Sequence, residues 1–200
     1  MKKPLLILAI GGLTLITLYS FSTMGLFNIE KQKYSVVNQG NGYEIRYYPP
    51  AVLATVYSTA KNYRELASPG FRKIANYIFG GNATGTKIAM TAPVHMDMGS
   101  ERSSMSFVMP EKYELSDLPK PLSDEIHLKK TEGEYAAAIG FGGYASDSDI
   151  KKYSARLAEL LRKNRIEPIG PFRFLGYNAP YQFIGRKNEI IVAVNWEKRK

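Results

Sequence analysis

This 200-residue chain contains no cysteine. That absence excludes a disulfide framework, an acyl-cysteine anchor, a thiolate nucleophile and thiolate ligation of iron or zinc. Histidine is nearly as scarce, with only His95 and His127. Two histidines in separate strand-like segments give no visible catalytic triad, and no G-x-S-x-G elbow is present. From its chemistry alone the sequence reads as a binding module more than an enzyme. Charge is also missing from one long stretch: none occurs between Lys3 and Glu30. The most apolar part, Leu5 to Leu18, has the length of a signal-peptide core, but the whole run is long enough to cross ~30 Å of hydrocarbon as a helix.

Two readings of this segment compete. A signal peptide would be cleaved near Ser20-Phe21-Ser22 and the domain secreted. An uncleaved anchor would keep Lys2 and Lys3 in the cytoplasm and export the rest to the periplasmic or extracellular side. The anchor is preferred, because no convincing cleavage site follows the apolar run. The expected organisation is residues 1–27 as anchor or signal and residues 28–200 as one globular domain. The net charge is +9, or +7 without Lys2 and Lys3. The basic residues are scattered, and the densest group, "RKNRIEP" with Lys151 and Lys152 upstream, fits the polar face of one helix. Nucleic acid is not an expected partner.

From Tyr43 onward strand-like and helix-like signals alternate. "YEIRYY" and "AVLATVYS" are rich in aromatic and β-branched residues and are separated by Pro49-Pro50. A helix is expected from Ser68, with Pro69 in its first turn, an apolar stripe of Phe71, Ile74, Ala75 and Ile78, and Gly80-Gly81 at its end. "TKIAMTAPVHM" and "SSMSFVMP" follow as strands. Then "IHLKKTE" and "EYAAAIGFGG" read as strands, "SDSDIKKYSARLAELLRKN" as a helix capped by Asp147 or Ser148, and "FRFLGYNAP" and "NEIIVAVNW" as closing strands. "AVLATV" aligns with "AAAIGF", "MTAP" with "YNAP" and "SFVM" with "IIVA", each at an offset of about 85 residues. The expectation is an α+β fold of two duplicated β-β-α-β-β halves, giving a twisted, mostly antiparallel sheet with two main helices. The cleft between the halves is the natural ligand site.

The stretch "GTKIAMTAPVHMDM" holds a histidine and three methionines, the residue types that bracket haem iron in some proteins. In a strand, Ile88, Met90, Ala92, Val94 and Met96 share one face and Lys87, Ala89, Thr91, Pro93 and His95 the other. Met90 and His95 then point apart, so Met90 reads as core filling and His95 as at most a lone metal ligand. "GGNATGTK" superficially resembles a phosphate loop, but its Gly-Thr-Lys order and the strand that follows do not match one. Asn82-Ala83-Thr84 is a glycosylation sequon.

"KIAMTAPV", "YEIRYYPP", "FGGYAS" and "GYNAPYQFIGRKNEIIVAV" together, in this order, resemble the SOUL haem-binding protein family, over roughly Tyr34 to Trp196. The resemblance implies a duplicated, barrel-like α+β fold that binds haem or another tetrapyrrole as a ligand, mainly by apolar contact in a shallow groove. By resemblance that groove lies between the first helix, with Phe71, Arg72, Ile74, Ala75 and Ile78, and the Pro180–Phe183 loop, with Tyr181 and Phe183. One branch of the family places a proposed axial histidine where this chain has Tyr47. A tyrosinate can hold ferric haem, so Tyr47 and His95 are the candidate iron ligands. Another branch meets the haem propionates with basic residues on the first helix and in the loop. Here Gln182 replaces the expected lysine, with Arg186 and Lys187 close by. Two other readings stand beside haem binding: removal of haem iron, with His95 or Glu44 as proton donor, and a pocket for another apolar ligand or a partner peptide. The same architecture resembles effector-binding modules of transcription regulators.

Overall fold

The computed structural model describes residues 29–99, 102–179 and 181–196. The N-terminal segment expected to anchor the chain or direct its export lies outside them. Among the described residues no helix is long and apolar enough to cross a membrane. The body of the chain, Lys31–Lys200, forms one compact unit.

Its frame is an antiparallel sheet of nine strands: β1 Ser35–Gly40, β2 Tyr43–Tyr48, β3 Val52–Ser58, β4 Val94–Met98, β5 Ser103–Val108, β6 His127–Lys130, β7 Glu134–Gly142, β8 Pro168–Gly176 and β9 Lys187–Val194. They lie in the order β1-β2-β7-β9-β8-β4-β5-β3-β6, with every pairing antiparallel. The α+β class and the largely antiparallel sheet are therefore present, but the barrel-like closure is not. β1 and β6 are the edges of the sheet among the described residues, and charge on the short β6 (Lys129, Lys130) disfavours pairing with another edge. The order has a symmetry of its own. Outward from the central β8/β4 contact, one direction runs β8, β9, β7, β2 and the other runs β4, β5, β3, β6.

Helix α1 spans Tyr63–Ile78 and α2 spans Asp147–Lys163. α1 begins five residues before the expected Ser68 because Asn62 caps it. The Asn62 side chain accepts from the Glu65 N–H at 3.0 Å, and Glu65 reaches back to Asn62 Nδ2 and Lys61 N. Pro69 is thus inside the helix, where it removes one N–H donor. α2 is capped by Ser146 in a reciprocal box with Asp149, one residue before the expected cap.

Both helices cover the same face of the sheet. The main core lies between them, with Leu66, Ile74 and Ile78 from α1, Leu157 and Leu161 from α2, and Ile45, Val56, Phe107, Ile139, Phe174 and Val192 from the strands. Alternation along each strand sends the intervening residues to the other face. There a smaller cluster forms from Tyr48, Ala136, Ala138, Leu175 and Ile191, with Tyr34 and Tyr177 against it.

The loop after α1 has no phosphate-binding geometry. Asn82 is 3% exposed and its side chain is fully committed. Its Nδ2 donates to Tyr77 O (3.0 Å) and Thr86 O (2.7 Å), and its Oδ1 accepts from the Thr84 and Thr86 N–H groups. A sequon asparagine held this way is closed to a glycan. Asn82→Ala leaves buried main-chain groups unpartnered, so we expect a loss of about 2–3 kcal/mol in urea denaturation. A loss under about 0.5 kcal/mol would show the loop does not depend on it.

Candidate functional site

The residues expected to form the ligand groove divide between core and surface. Ile74 and Ile78 are 0% exposed and Ala75 is buried; all three face the sheet, and Ile74 and Ile78 are enclosed by the main core. Phe71 is half-buried, its ring 5.3 Å from that of Phe107 on β5. Arg72 is exposed on the outer side of α1, beside Lys73, which pairs with Glu125. Tyr181 and Phe183 stand out from the β8–β9 loop, 63% and 77% exposed. The floor expected on α1 is therefore mostly core, for a simple reason: in an amphipathic helix on a sheet the apolar stripe is what faces the sheet.

The β8–β9 loop has a built shape. Gln182 N–H donates to Ala179 O at 3.1 Å to close a turn. Arg186 Nη1 donates to Ala179 O (2.8 Å) and Gln182 O (2.9 Å), and Asn178 Oδ1 accepts from Lys187 N–H (2.6 Å). The Arg186 guanidinium lies over the Tyr144 ring at 4.3 Å. Its Nε is buried and has no acceptor among the described residues. The neighbouring Tyr63 opens α1, and its N–H donates to Asp147 Oδ1 (2.6 Å) at the start of α2. Burial is the main cause of the raised Tyr63 pKa, and the field of Arg186 opposes it. The loop, the first turn of α1 and the start of α2 therefore meet at one end of the sheet.

Neither candidate iron ligand lies there. Tyr47 is on β2, paired in register with Tyr135 of β7, their rings 5.1 Å apart. Its hydroxyl lies so close to Gly133 that any side chain at 133 would collide with it. α1 packs on β3 and β5, in the other half of the sheet. His95 is on β4, 8% exposed, and points to the helix-free face, where Nε2 meets Gln32 Oε1 at 2.7 Å. Burial, aided by Arg173, lowers its pKa to about 3, so the imidazole is neutral at physiological pH. Met90 and Val94 pack on the helix side, as does the buried Met96. Among the described residues no cluster of three His, Cys, Asp or Glu is placed to hold a metal.

The helix-free face carries what the motifs did not show, a buried ion-pair cluster. Arg46 is 5% and Glu189 1% exposed, joined by two hydrogen bonds of 2.8 and 3.0 Å. Arg46 also donates to Glu44 Oε2 (2.7 Å) and Tyr48 Oη (3.2 Å), while Tyr177 Oη donates to Glu189 Oε2 at 2.6 Å. Lys187 reaches Glu189 Oε1 at 3.0 Å, and Tyr34 stacks on Arg46, with the guanidinium 4.1 Å from its ring centre. Burial alone would push the Glu189 carboxyl up; the bonds from Arg46 and Tyr177 hold it below its ordinary value instead. Desolvation and the adjacent Glu189 carboxylate push the Tyr177 phenol far up. The segment from Gln32 to Tyr34 crosses this face from His95 to Arg46 and roofs it. The sequence signal was an acid inside the apolar run "NEIIVAV".

The family described as SOUL heme-binding protein matches residues 29–193. The chain belongs to the SOUL heme-binding protein family. Human heme-binding protein 2 is 29% identical to it over 159 residues, covering 76% of this chain and 78% of that protein. Heme-binding protein 1 of Bos taurus is 28% identical over 174 residues, covering 82% and 91%. Among solved structures, the C-terminal domain of EcmrR superposes with a TM-score of 0.58 at 9% identity, over 82% of this chain and 99% of that one. A hydrolase from Listeria innocua gives 0.52 at 9% identity, over 87% and 98%. At such identities the likeness is one of fold.

Proposed function

We propose that this SOUL-family protein binds haem or a related tetrapyrrole at the end of the sheet where the β8–β9 loop meets α1. The observation that carries the reading is an internally hydrogen-bonded loop that displays Tyr181 and Phe183 to solvent and holds an arginine whose buried Nε has no acceptor among the described residues. The residues fit the ligand in kind. Aromatic surface suits a porphyrin plane, and Arg186, with the exposed Arg72 further along α1, suits carboxylates. Bound ferric haem would supply a redox-active iron and its visible absorption. The chain's own part is to shield one face of the ring and orient its propionates. Tyr47 is at the other end of the sheet and His95 points to its helix-free face, so binding rests on apolar contact rather than axial ligation. Iron removal finds no support: His95 is neutral and bonded to Gln32, and Glu44 is paired with Arg46.

Two wider parts of the reading belong here. The mirrored strand order supports descent from a duplicated β-β-α-β-β half, each half lending its first strand to the other. The uncharged run between Lys3 and Glu30 supports an anchor with the domain exported; resistance of the full-length protein to carbonate extraction from its native membrane would test it. For the ligand site the test is a haem titration followed in the Soret band. We expect saturable one-to-one binding, and Tyr181→Ala with Phe183→Ala should weaken it at least tenfold, about 1.4 kcal/mol. Unchanged affinity in the double variant would move the site elsewhere.

A further inference from the structure

The end of the sheet that carries the proposed ligand loop has more exposed apolar surface than a ligand needs. Tyr144 is 57% exposed, Tyr181 63%, Phe183 77% and Ile184 78%. They come from two loops brought side by side by the pairing of β7 with β9, in which Gly142 is opposite Lys187, and by Asn188 Nδ2 donating to Gly143 O at 2.8 Å. Four large, mainly apolar side chains exposed on neighbouring loops form a patch of the kind that marks an interaction site.

The chemistry of the tip selects that occupant. Three of its carbonyls accept from within the loop: Ala179 O and Gln182 O from Arg186, and Ile184 O from Gln182 Nε2 at 3.3 Å. Each polar group bonded inside lowers the desolvation cost of leaving water. Those same bonds fix its shape, so little conformational entropy is lost on docking. No acidic residue occurs between Glu167 and Glu189. The two acids nearest in the chain to Tyr144, Asp147 and Asp149, are engaged at the N-terminus of α2, where the helix dipole offsets their charge. Tyrosine beside phenylalanine and isoleucine, with Arg186 and Lys187 behind, is the pattern of side chains that enter the interfacial layer of a bilayer. The chain's positive charge favours an anionic surface.

We infer that Tyr144, Tyr181, Phe183 and Ile184 form a lipid-contact tip that seats in the headgroup and upper acyl region of a bilayer. The inference uses the loop of the proposed haem site but does not need haem. It gives that site access to a ligand dissolved in lipid.

The test uses the full-length protein with vesicles of phosphatidylcholine and phosphatidylglycerol in equal parts, with and without brominated acyl chains. The one native tryptophan, Trp196, follows β9 at its other end, about 27 Å along the strand. A second form carries Trp196→Phe with Phe183→Trp. We expect the Phe183→Trp emission to shift to the blue on adding vesicles and to lose most of its intensity in brominated lipid, while Trp196 in the parent protein is unaffected. Water-like emission without quenching in the Phe183→Trp form overturns the inference. Equal quenching at both ends overturns it too, because the tip is then not the contact. A haem titration of the parent protein without vesicles separates the two readings: haem binding with no lipid quenching of the Phe183→Trp form sinks only the lipid contact, and lipid quenching with no haem binding by the parent sinks only the haem site.

Discussion

Arg46→Met should be among the most damaging single substitutions in this fold, lowering stability by about 3–5 kcal/mol in urea denaturation. Arg46 and Glu189 are both almost wholly buried and share two hydrogen bonds. Removing the arginine leaves a carboxylate in the sheet with, among the described residues, Lys187 and Tyr177 to answer it. Those two remaining partners place the expected loss near the lower end of the range. It also strips Glu44, Tyr48 and Tyr34 of their common partner. Arg46→Met with Glu189→Met removes both charges at once and should recover most of the loss, since a buried pair replaced by apolar groups of similar size is often close to neutral. The sign with pH follows from the depressed Glu189 carboxyl. Its contribution is present above the ordinary carboxylate range and is lost as pH falls through its lower folded value. A single variant within about 1 kcal/mol of the parent would mean the cluster contributes little to the fold.

The second large effect is an acid sensitivity set by His95. In the unfolded chain its imidazole has the ordinary value of 6.5, and in the fold it is lowered to about 3. Between those values the unfolded state binds a proton that the folded state refuses, so stability falls as pH falls. The limiting slope is about 1.4 kcal/mol per pH unit. We expect a protein about 2 kcal/mol less stable at pH 5 than at pH 8. His95→Gln keeps a partner for Gln32 and should flatten that window, leaving the carboxylate-driven loss below it. An unaltered slope in His95→Gln would place the acid sensitivity elsewhere.

How far the sequence reveals this molecule depends on which force decides each feature. Aromatic and β-branched runs such as "YEIRYY" and "NEIIVAV" and the apolar stripe from Phe71 to Ile78 report burial directly, so strands and helices appear where their patterns lie. The start of α1 does not, because the Asn62 cap, braced by Glu65, outweighs the helix-start signal of Ser68-Pro69. The same stripe that announced the helix misled about the site: Ile74 and Ile78 are apolar because they pack on the sheet, and the surface a ligand can touch is carried by the loop instead. His95 shows a related limit. Alternation along its strand gives its face, but its burial depends on Gln32, sixty-three residues away in the chain. The mutual partnership of Arg46 and Glu189 is likewise a tertiary fact that two isolated charges in two strands do not reveal.

The measurement that tests the central claim most directly is a map of backbone amide shifts in the folded protein as haem is added. The account predicts that the largest changes fall on residues 178–186 and on the first turns of α1, from Tyr63 to Phe71, with Arg186 among them. Changes centred instead on Tyr47 and Tyr135, or on His95 and Gln32, would contradict it and return the iron to a side chain on the sheet.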